Sequence, residues 1–237
     1  MRLRIELLHY TPIEPLIKAT AMPYQSKESK GLVKRVWDSG HRSISRHGMA
    51  SFLVEDISQS LLRQISRHPM LNLTVKSSRY CDMSDSIFYI PKENITKINK
   101  TFMGEEKSEE SKETHELFIK EYIRDMNNIM DIYKKWKRYE KDEKEIDVAK
   151  LFLPLASTTD LVVSGNYQAL YEFLQLRNCV RAELEIRELS NTMTNILKEV
   201  MPEIFSDLGC KGDEYGICPE SHGCCGKYPT KKEMYNE

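Results

Sequence analysis

The sequence predicts an α+β fold, because helical and strand-like hydrophobic patterns both occur along the chain. Two long segments, Thr114–Tyr139 and Tyr167–Met201, carry apolar residues at three- and four-residue steps, which is typical of amphipathic helices. The stretch Arg2–His9 instead alternates apolar and polar residues, which is typical of a half-buried strand. Helices dominate, but three or four strands remain, so the class is α+β.

The N-terminal half predicts strands and helices that end at glycine and proline. Leu3, Ile5 and Leu7 share one face of the first strand. Gly40 is placed to end the first helix, and Pro69 lies just past the end of the second, where it stops further winding. The predicted elements are a strand over Arg2–His9, a helix over Ser26–Ser39, a strand over His47–Glu55 and a helix over Ile57–Arg67.

The C-terminal half predicts more helix than strand. Lys92–Lys112 is polar and charged and is interpreted as a surface insertion. Asn166 is placed to cap the last helical region and Pro202 to stop it, with a break expected near Arg177. The other predicted elements are a loop over Leu71–Tyr80, a strand over Ile87–Ile90, and helices over Thr114–Tyr139, Asp142–Leu151 and Tyr167–Met201.

Composition limits the classes of function. The 237 residues include 30% charged side chains and carry a net charge of −1, so no overall field attracts a nucleic acid polymer or an anionic membrane. No apolar run is long enough to span a bilayer, and the first residues lack a secretory apolar stretch. We therefore expect a cytoplasmic protein with one domain over residues 1–205 and a Cys-rich tail over residues 206–237.

Residues 64–80 concentrate groups that bind phosphate. Arg67, Ser77, Ser78 and Arg79 follow an apolar, helix-like run. Arginine binds phosphate and carboxylate through a planar fork of donors, and serine hydroxyls add short hydrogen bonds. A nucleotide pocket is one interpretation of this cluster. A solvated helix end followed by a polar turn is the plainer alternative.

The order of several motifs resembles the flavin-dependent thymidylate synthase family. Arg67-His68-Pro69, Ser77 and Arg79-Tyr80 stand where that family has Arg-His-Arg, Ser and Arg-Tyr. Further segments resemble family motifs in the same order: Tyr24-Gln25-Ser26, Gly40-His41-Arg42-Ser43 through His47, Ala149-Lys150 before Leu153-Pro154, Asn166 through Leu174-Gln175-Leu176-Arg177, and the tail Gly216-Ile217-Cys218-Pro219-Glu220 to Cys225-Gly226-Lys227. Together these ordered segments are specific, whereas the central motif alone would not be.

The resemblance implies a fold, a reaction and an assembly. Helices would pack around a small, mainly antiparallel sheet. The reaction would methylate C5 of deoxyuridine monophosphate (dUMP) to give dTMP, with FAD carrying the hydride and with NADPH and methylenetetrahydrofolate as co-substrates. Family members form homotetramers with active sites at subunit interfaces, so a homotetramer is expected here. C5 modification of another pyrimidine nucleotide, and a catalytically inactive nucleotide-binding homologue, remain as alternatives.

The resemblance also implies roles for individual residues. Arg177 would approach the uracil ring and favour loss of its N3 proton, since a guanidinium stays cationic and stabilises developing negative charge. The implied substrate-binding residues are Gln64, Arg67, Ser77, Ser78, Arg79, Lys150 and Arg177. The implied cofactor-binding residues are His41, Ser43, Arg67, His68, Pro69, Asn166, Gln168 and Glu172.

Some of these roles have plainer structural alternatives. Arg177 could form an ion pair with Glu172 or Glu183 nearby in sequence. Lys150 could lie along apolar surface with its ammonium group in water. Asn166 could cap a helix, and capping is compatible with a ligand contact.

Four residues depart from the family pattern around the predicted site. Pro69 replaces an arginine, Val75 a glutamate, Arg46 a glutamate and Glu172 an asparagine. Pro69 removes a cation, and Glu172 adds a negative charge that a flavin pyrophosphate would repel. These changes predict a divergent member with altered substrate, altered cofactor contact or lost activity. They also predict that FAD binds more weakly than is usual for the family.

The cysteines of the tail raise the question of a metal site. Intracellular cysteines are more often thiols or metal ligands than disulfides. Cys210, Cys218, Cys224 and Cys225 crowd the tail with His222, but they do not form the paired Cys-x-x-Cys units typical of zinc sites. The sequence therefore favours an irregular tail packed on a neighbouring subunit, and it predicts no metal ligands.

Overall fold

The computed structural model describes residues 3–103, 109–140, 147–220 and 222–235. Contacts between residues divide the chain into two compact units. The first unit contains Asp56–Leu62 and Val75–Asp160, and the second contains Leu3–Glu55, Arg63–Thr74 and Leu161–Glu237. In this division, residues 206–237 belong to the second unit.

Four strands form one sheet in the order β1-β2-β4-β3. They are β1 (Arg4–Tyr10), β2 (Met49–Ser58), β3 (Asn72–Val75) and β4 (Thr158–Asn166). β1 runs antiparallel to β2, from Arg4 opposite Glu55 to Tyr10 opposite Ala50. Alternate residues of β2 are fully buried, which explains why its apolar pattern is readable in the sequence: Ala50, Phe52 and Val54. The predicted strands over Arg2–His9 and His47–Glu55 are confirmed with shifted ends.

The other strand predictions need correction. The predicted loop over Leu71–Tyr80 is wrong at its start, because β3 forms there as a short edge strand. The predicted strand over Ile87–Ile90 is also wrong, since only Phe88 bridges, to Ser157. The sequence pattern does not predict the strand β4. Thr158, Thr159 and the Ser-Gly-Asn end of β4 are polar or small, and they hide the buried alternation of the strand.

The helices of the second unit follow recognisable end signals. Ser29 caps α2 by accepting a hydrogen bond from the Leu32 N–H. Pro12 precedes α1, a helix that the sequence pattern does not predict. The predicted break is confirmed, because α6 ends at Arg177. The helices are α1 (Ile13–Ala21), α2 (Lys30–Asp38), α6 (Tyr167–Arg177), α7 (Leu184–Val200), α8 (Pro202–Phe205), α9 (Lys211–Tyr215) and α10 (Lys231–Tyr235), with α3 (Gln59–Ile65) running from the first unit into the second.

Aromatic rings lock α6 into the second unit. Tyr167 stands edge-on to Phe205 with ring centroids 5.5 Å apart, and Tyr171 stands edge-on to Trp37 at 4.9 Å. All four rings are buried. Edge-to-face pairs of this kind add to the hydrophobic stabilisation of a core. α6 is therefore a rigid support for the residues at its C-terminal end.

The first unit is built on a long helix. It contains α4 (Lys92–Met103), α5 (Glu109–Glu140) and a 3₁₀ turn (Ala149–Phe152). α5 confirms the predicted helix over Thr114–Tyr139. It packs Met130 and Tyr133 against Met83 and Ala149, so its apolar face serves the core. The Tyr133 hydroxyl also accepts a hydrogen bond from the Met83 N–H at 3.0 Å.

Two further predictions concern segments that are described only in part. The predicted surface insertion over Lys92–Lys112 contains α4, and its residues 104–108 lie outside the described residues. The predicted helix over Asp142–Leu151 extends over residues 142–146, which also lie outside them; its described part forms only the 3₁₀ turn. In the described ranges, none of the helices has both the length and the apolar character that crossing a membrane requires.

Candidate functional site

Arg177, at the C-terminal end of α6, donates hydrogen bonds to His68. Its Nε and Nη2 atoms lie 3.2 and 3.0 Å from His68 Nε2. A guanidinium has donors only, so the imidazole nitrogen that faces it must accept and carries no proton. His68 is therefore neutral, with its proton on Nδ1. The imidazole stands edge-on to Phe173 of α6, with centroids 4.8 Å apart, which fixes its orientation.

The surroundings keep Arg177 charged and His68 neutral. Burial, followed by the charge of Arg177, lowers the pKa of the His68 imidazole. Burial also lowers the pKa of the Arg177 guanidinium, which still stays cationic at neutral pH. Among the described residues, no carboxylate pairs with Arg177. The alternative of an ion pair with Glu172 or Glu183 is therefore not formed.

The carboxylates nearest in sequence to Arg177 have other partners. Glu183 accepts a hydrogen bond from the Gln64 amide, and Glu172 accepts one from Gln168 at 2.9 Å. Two hydrogen bonds thus join residues 64–68 to the neighbouring helices. One links Gln64 to Glu183, the N-cap of α7, and the other links His68 to Arg177 at the end of α6. Within the described ranges, the Arg177 guanidinium therefore has no neutralising anion.

Two of the departures from the family pattern are joined in the structure. Arg46 Nε donates to Gln168 Oε1 at 2.6 Å, and Gln168 Nε2 donates to Glu172 Oε1 at 2.9 Å. The unusual cation at position 46 and the unusual anion at position 172 therefore lie at the two ends of one hydrogen-bonded chain. Because their charges are opposite, part of the negative charge of Glu172 is offset locally.

The remaining predicted cofactor residues of the second unit are mostly exposed. His41, Ser43, Arg67 and Pro69 lie at the surface, and in the described part of the chain the side chains of the first three have no hydrogen-bond partner. Asn166 caps α6, since its Oδ1 accepts from the Ala169 N–H at 2.9 Å. The predicted capping role of Asn166 is confirmed.

The predicted phosphate-binding residues of the first unit form a cluster of their own. Arg79 Nε and Lys150 Nζ lie 3.3 and 2.8 Å from the same oxygen, Oδ2 of Asp147. The hydrogen bond from Lys150 lowers the pKa of the Asp147 carboxyl. Ser77 Oγ accepts from the Arg79 N–H at 3.3 Å. Ser78 is half-buried beside it in the chain.

A family model described as "Thymidylate synthase complementing protein" matches residues 6–203. The chain belongs to this family. Relatives named flavin-dependent thymidylate synthase match it almost from end to end. The relative from Nitratidesulfovibrio vulgaris is 28% identical over 98% of this chain and 97% of its own length. That from Clostridium tetani is 28% identical over 99% and 98%, and that from Pyrococcus furiosus 27% over 99% and 98%.

A solved structure shares the fold. It is a UMP/dUMP methylase, PolB from Streptomyces cacaoi, bound with 5-Br dUMP. Its TM-score is 0.69 at 19% sequence identity, and the match covers 86% of this chain and 94% of that one. The predicted α+β fold, the predicted flavin-dependent thymidylate synthase family and the prediction of an enzyme are thereby confirmed.

Two acidic residues beside the predicted site residues were not predicted from the family motifs. Asp147 holds Arg79 and Lys150 together, and the only sequence signal for it was its position three residues before Lys150. Glu214 accepts hydrogen bonds from Arg42 and Gln175. Arg42 lies 172 positions from Glu214 in sequence, so no local pattern could have joined the two residues.

The contact between Arg42 and Glu214 anchors the tail beside His41 and Ser43, two of the predicted cofactor-binding residues. The Arg42 guanidinium lies 5.0 Å from the ring centroids of both Trp37 and Tyr171. Although burial acts to lower it, the pKa of Arg42 is raised by the Glu214 carboxylate. The Tyr171 hydroxyl donates to Glu214 at 3.3 Å. The tail therefore contributes a half-buried charge partner to the 3₁₀ turn Arg42–His47, which carries Ser43 and directly follows His41.

Proposed function

We propose that this chain catalyses the flavin-dependent reductive methylation of dUMP at C5, which yields dTMP. The observation that carries the proposal is the state of Arg177. It is a half-buried guanidinium held by a neutral imidazole, and among the described residues it has no carboxylate partner. A fixed positive charge in a partly desolvated position stabilises developing negative charge more strongly than the same charge in water.

In this proposal Arg177 is the catalytic residue, and His68 positions it. The guanidinium stabilises the negative charge that the uracil ring acquires when its N3 proton leaves. His68 accepts from Nε and Nη2 of Arg177 without adding an opposite charge. Gln64, Arg67, Ser77, Ser78, Arg79 and Lys150 complete the proposed substrate-binding set. Arg79 and Lys150 release Asp147 and bind the phosphate group of the nucleotide in its place.

The residues of the second unit fit a flavin. Bound FAD would supply hydride transfer. Arg67, His41 and Ser43 offer a cation and donors at the surface, and none of their side chains has a partner in the described part of the chain. His68, Pro69, Asn166, Gln168 and Glu172 complete the proposed set. NADPH and methylenetetrahydrofolate are the proposed reductant and carbon donor, and the proposed location is the cytoplasm.

The proposed assembly is a homotetramer. It rests on the family relationship and on candidate residues from distant parts of the sequence. A ligand that binds only the assembled state stabilises that state by mass action, so added FAD should raise the melting temperature and shift dissociated chains toward tetramer. Light scattering with and without FAD measures both the mass and the shift. A monomer whose mass FAD leaves unchanged would contradict the shared-pocket assembly.

A second candidate function keeps the fold and changes the substrate. Pro69 stands in place of an arginine in the central motif, so a cation and several donors are missing beside His68. A binding site that has lost donors can prefer a different nucleotide, because specificity for a polar group depends on donors that pair with it. The second candidate is therefore C5 modification of another pyrimidine nucleotide.

An assay of purified protein distinguishes these functions. The protein is incubated with FAD, NADPH and methylenetetrahydrofolate labelled in its methylene carbon, and either dUMP or UMP is added. Label in dTMP that requires both FAD and NADPH supports the first proposal. Label that appears only with UMP supports the second. A colourless protein that binds no added FAD and methylates neither nucleotide overturns both proposals and identifies an inactive homologue.

A further inference from the structure

Two cysteines of the tail, Cys218 and Cys224, contact the same short stretch of backbone. The Cys218 N–H donates to the Pro229 carbonyl at 2.8 Å, and Cys218 forms a parallel bridge with Thr230. The Cys224 thiol donates to the Tyr228 carbonyl at 3.5 Å. The two thiols are also hydrogen-bonded to each other. The fold of the tail therefore holds these two sulfur atoms side by side.

The backbone around Cys224 fixes the position of its sulfur. Gly223 and Gly226 have φ angles of +70° and +78°, in the left-handed region that glycine adopts most easily. The Gly226 N–H donates to Cys224 Sγ at 3.4 Å, so the second of these turns closes on the sulfur itself. The approach of Cys224 to Cys218 thus follows from two turns of the chain as well as from the rotation of a side chain.

The segment that carries the two thiols has no core of its own. In the described residues 213–220 and 222–235, no residue is buried. Small segments that cannot bury an apolar core are commonly stabilised by disulfides or metals. Among the described residues, no group of three or more His, Cys, Asp or Glu is placed to hold a metal ion. A disulfide between two thiols that already touch would cross-link this segment.

Both thiols can be reached from solution. They line a cavity of about 290 Å³, both are free, and neither is buried. The structure therefore describes the reduced form of the pair. Cys225 also lines the cavity and is exposed, so it is the rival partner for either thiol. The hydrogen bond between Cys218 and Cys224 favours these two over a pair that includes Cys225.

We propose that Cys218 and Cys224 are a redox-active pair that forms a disulfide by exchange with a small-molecule disulfide such as oxidised glutathione. The thiolate of one cysteine attacks the small disulfide, forms a mixed disulfide and releases one thiolate. The thiolate of the other cysteine then attacks the protein sulfur of the mixed disulfide and releases the second. The two protein thiols lose two protons and two electrons, and the small disulfide is reduced to two thiols. This proposal does not depend on the methylation proposed above.

The loop between the two cysteines holds the connection between α6 and α7. Arg181 of this connection donates from Nη1 to the Glu220 carboxylate and to the His222 carbonyl, the latter at 3.0 Å. A disulfide across the loop restricts the conformations that the loop can adopt when it opens. Amide hydrogen exchange of residues 178–183 should therefore be slower in the oxidised protein than in the reduced protein.

Oxidation of the full chain by glutathione tests the proposal. Although the Glu220 N–H acts to lower it, the pKa of the Cys218 thiol is raised by burial and by the Cys224 thiol. The exchange is therefore run at about pH 8.5, where more thiolate is present. Protein reduced with dithiothreitol is desalted, incubated with oxidised glutathione, and quenched with acid and N-ethylmaleimide before mass spectrometry.

The expected product is a chain that has lost two hydrogen atoms and carries no glutathione on the pair. Cleavage after Glu220 by a glutamate-specific protease separates Cys218 from Cys224 and Cys225, so a cross-linked peptide reveals the bond. Wild-type protein that carries only mixed disulfides, or that keeps all its thiols free in excess oxidised glutathione, overturns the proposal. Equal amide exchange in both forms would contradict the effect on the connection.

Cysteine variants locate the bond. Cys225→Ser, the matched control next to the pair, should form the same cross-linked peptide. Cys218→Ser lacks the second thiol and should keep glutathione as a mixed disulfide. Loss of the cross-link in Cys225→Ser would assign the bond to Cys225, and a Cys218→Ser protein that forms an internal disulfide would show that another pair reacts. Either result overturns the pair, and the wild-type mapping decides even if a variant does not fold.

Discussion

The two clusters of predicted site cations differ in what neutralises them. In the second unit, Arg177 faces a neutral imidazole, and no carboxylate among the described residues pairs with it. In the first unit, Arg79 and Lys150 share the carboxylate of Asp147. Arg177 therefore keeps an unpaired positive charge among the described residues, whereas Arg79 and Lys150 place two positive charges around one negative charge.

The difference indicates different tasks for the two clusters. The side chains of Arg79 and Asp147 are 47% and 29% exposed, so water screens their attraction and the pair can open easily. A phosphate, which carries more charge than a carboxylate, can then replace Asp147. Arg177 is only half-buried but is fixed by two hydrogen bonds, which suits stabilisation of charge at one position. We therefore propose that Arg79 and Lys150 bind the substrate and that Arg177 acts in the chemical step.

The largest expected effect follows from removing Arg177. We expect Arg177→Ala to lower kcat by about a hundredfold or more, since the loss of one preorganised charge-stabilising donor typically costs that much. Steady-state rates of dTMP formation measure the effect, and the melting temperature verifies the fold. Arg63→Ala, an exposed arginine on α3, is the matched control and should keep the wild-type rate. A near-normal rate in Arg177→Ala would remove its catalytic role.

Arg79→Ala should instead act on binding. We expect the Kd for dUMP to rise by about tenfold or more, since a hydrogen bond to a charged group contributes roughly 1.5–3 kcal/mol. The rate at saturating dUMP should change much less than in Arg177→Ala. Isothermal titration and steady-state kinetics give the two quantities. If kcat falls while Kd is unchanged, the division of tasks between the clusters is wrong.

Asp147→Asn should have a smaller effect of opposite sign. The amide keeps the shape of the side chain but no longer competes with phosphate for Arg79 and Lys150. We expect the Kd for dUMP to fall by about threefold, in keeping with the small contribution of exposed ion pairs. The same titration at high salt should reduce the difference. Weaker binding in Asp147→Asn would show that the carboxylate positions the two cations for the ligand.

The pH dependence of stability should report on His68. Burial, and then Arg177, hold the pKa of folded His68 below its ordinary 6.5. At a pH between the lowered pKa of His68 in the folded chain and the ordinary 6.5 of the unfolded chain, the unfolded chain binds more protons than the folded chain. The free energy of unfolding therefore falls as the pH drops below 6.5. His68→Gln can still accept from Arg177 but does not titrate. Urea unfolding between about pH 7 and pH 5 should show a smaller loss in this variant than in wild type.

The smallest expected effect concerns the divergent residues. Pro69→Arg combined with Glu172→Asn should tighten FAD, because a cation is added and an anion is removed. The gain should be only about threefold, since Arg46 already offsets Glu172 through Gln168. Arg46→Glu, with Pro69 and Glu172 unchanged, should weaken FAD. Fluorescence titration measures these affinities, and unchanged values in both variants would show that these positions do not face the flavin.

The sequence predicted elements whose pattern is local. The helix over Thr114–Tyr139, the first two strands and the Asn166 cap all depend on neighbours within a few positions. β4 was not predicted, although it lies between two other strands in the sheet, because its polar ends hide its buried residues. β3 was not predicted because four residues at a sheet edge carry too little pattern.

The candidate site likewise contains residues that the sequence predicts and residues that it does not. His68 and Arg177 could be proposed from ordered motifs, but their mutual hydrogen bonds join positions 109 residues apart. The neutralising partners were harder to foresee, since Asp147 and Glu214 act through contacts that the fold creates. Motifs identify the cationic side chains of the site. They do not identify the carboxylates that neutralise those cations, because an Asp or Glu at many different positions in the sequence could do so. The state of Arg177 therefore became clear only from the structure.

The ion pair between Arg42 and Glu214 has a consequence for folding during synthesis. Arg42 leaves the ribosome 172 residues before Glu214 does. Until then the guanidinium between Trp37 and Tyr171 has no counter-ion, and an unpaired, partly buried charge opposes docking of the turn. The turn that carries His41 and Ser43 can therefore reach its final state only after Glu214 has been synthesised. A chain interrupted before Glu214 would carry the central motif without this counter-ion for Arg42.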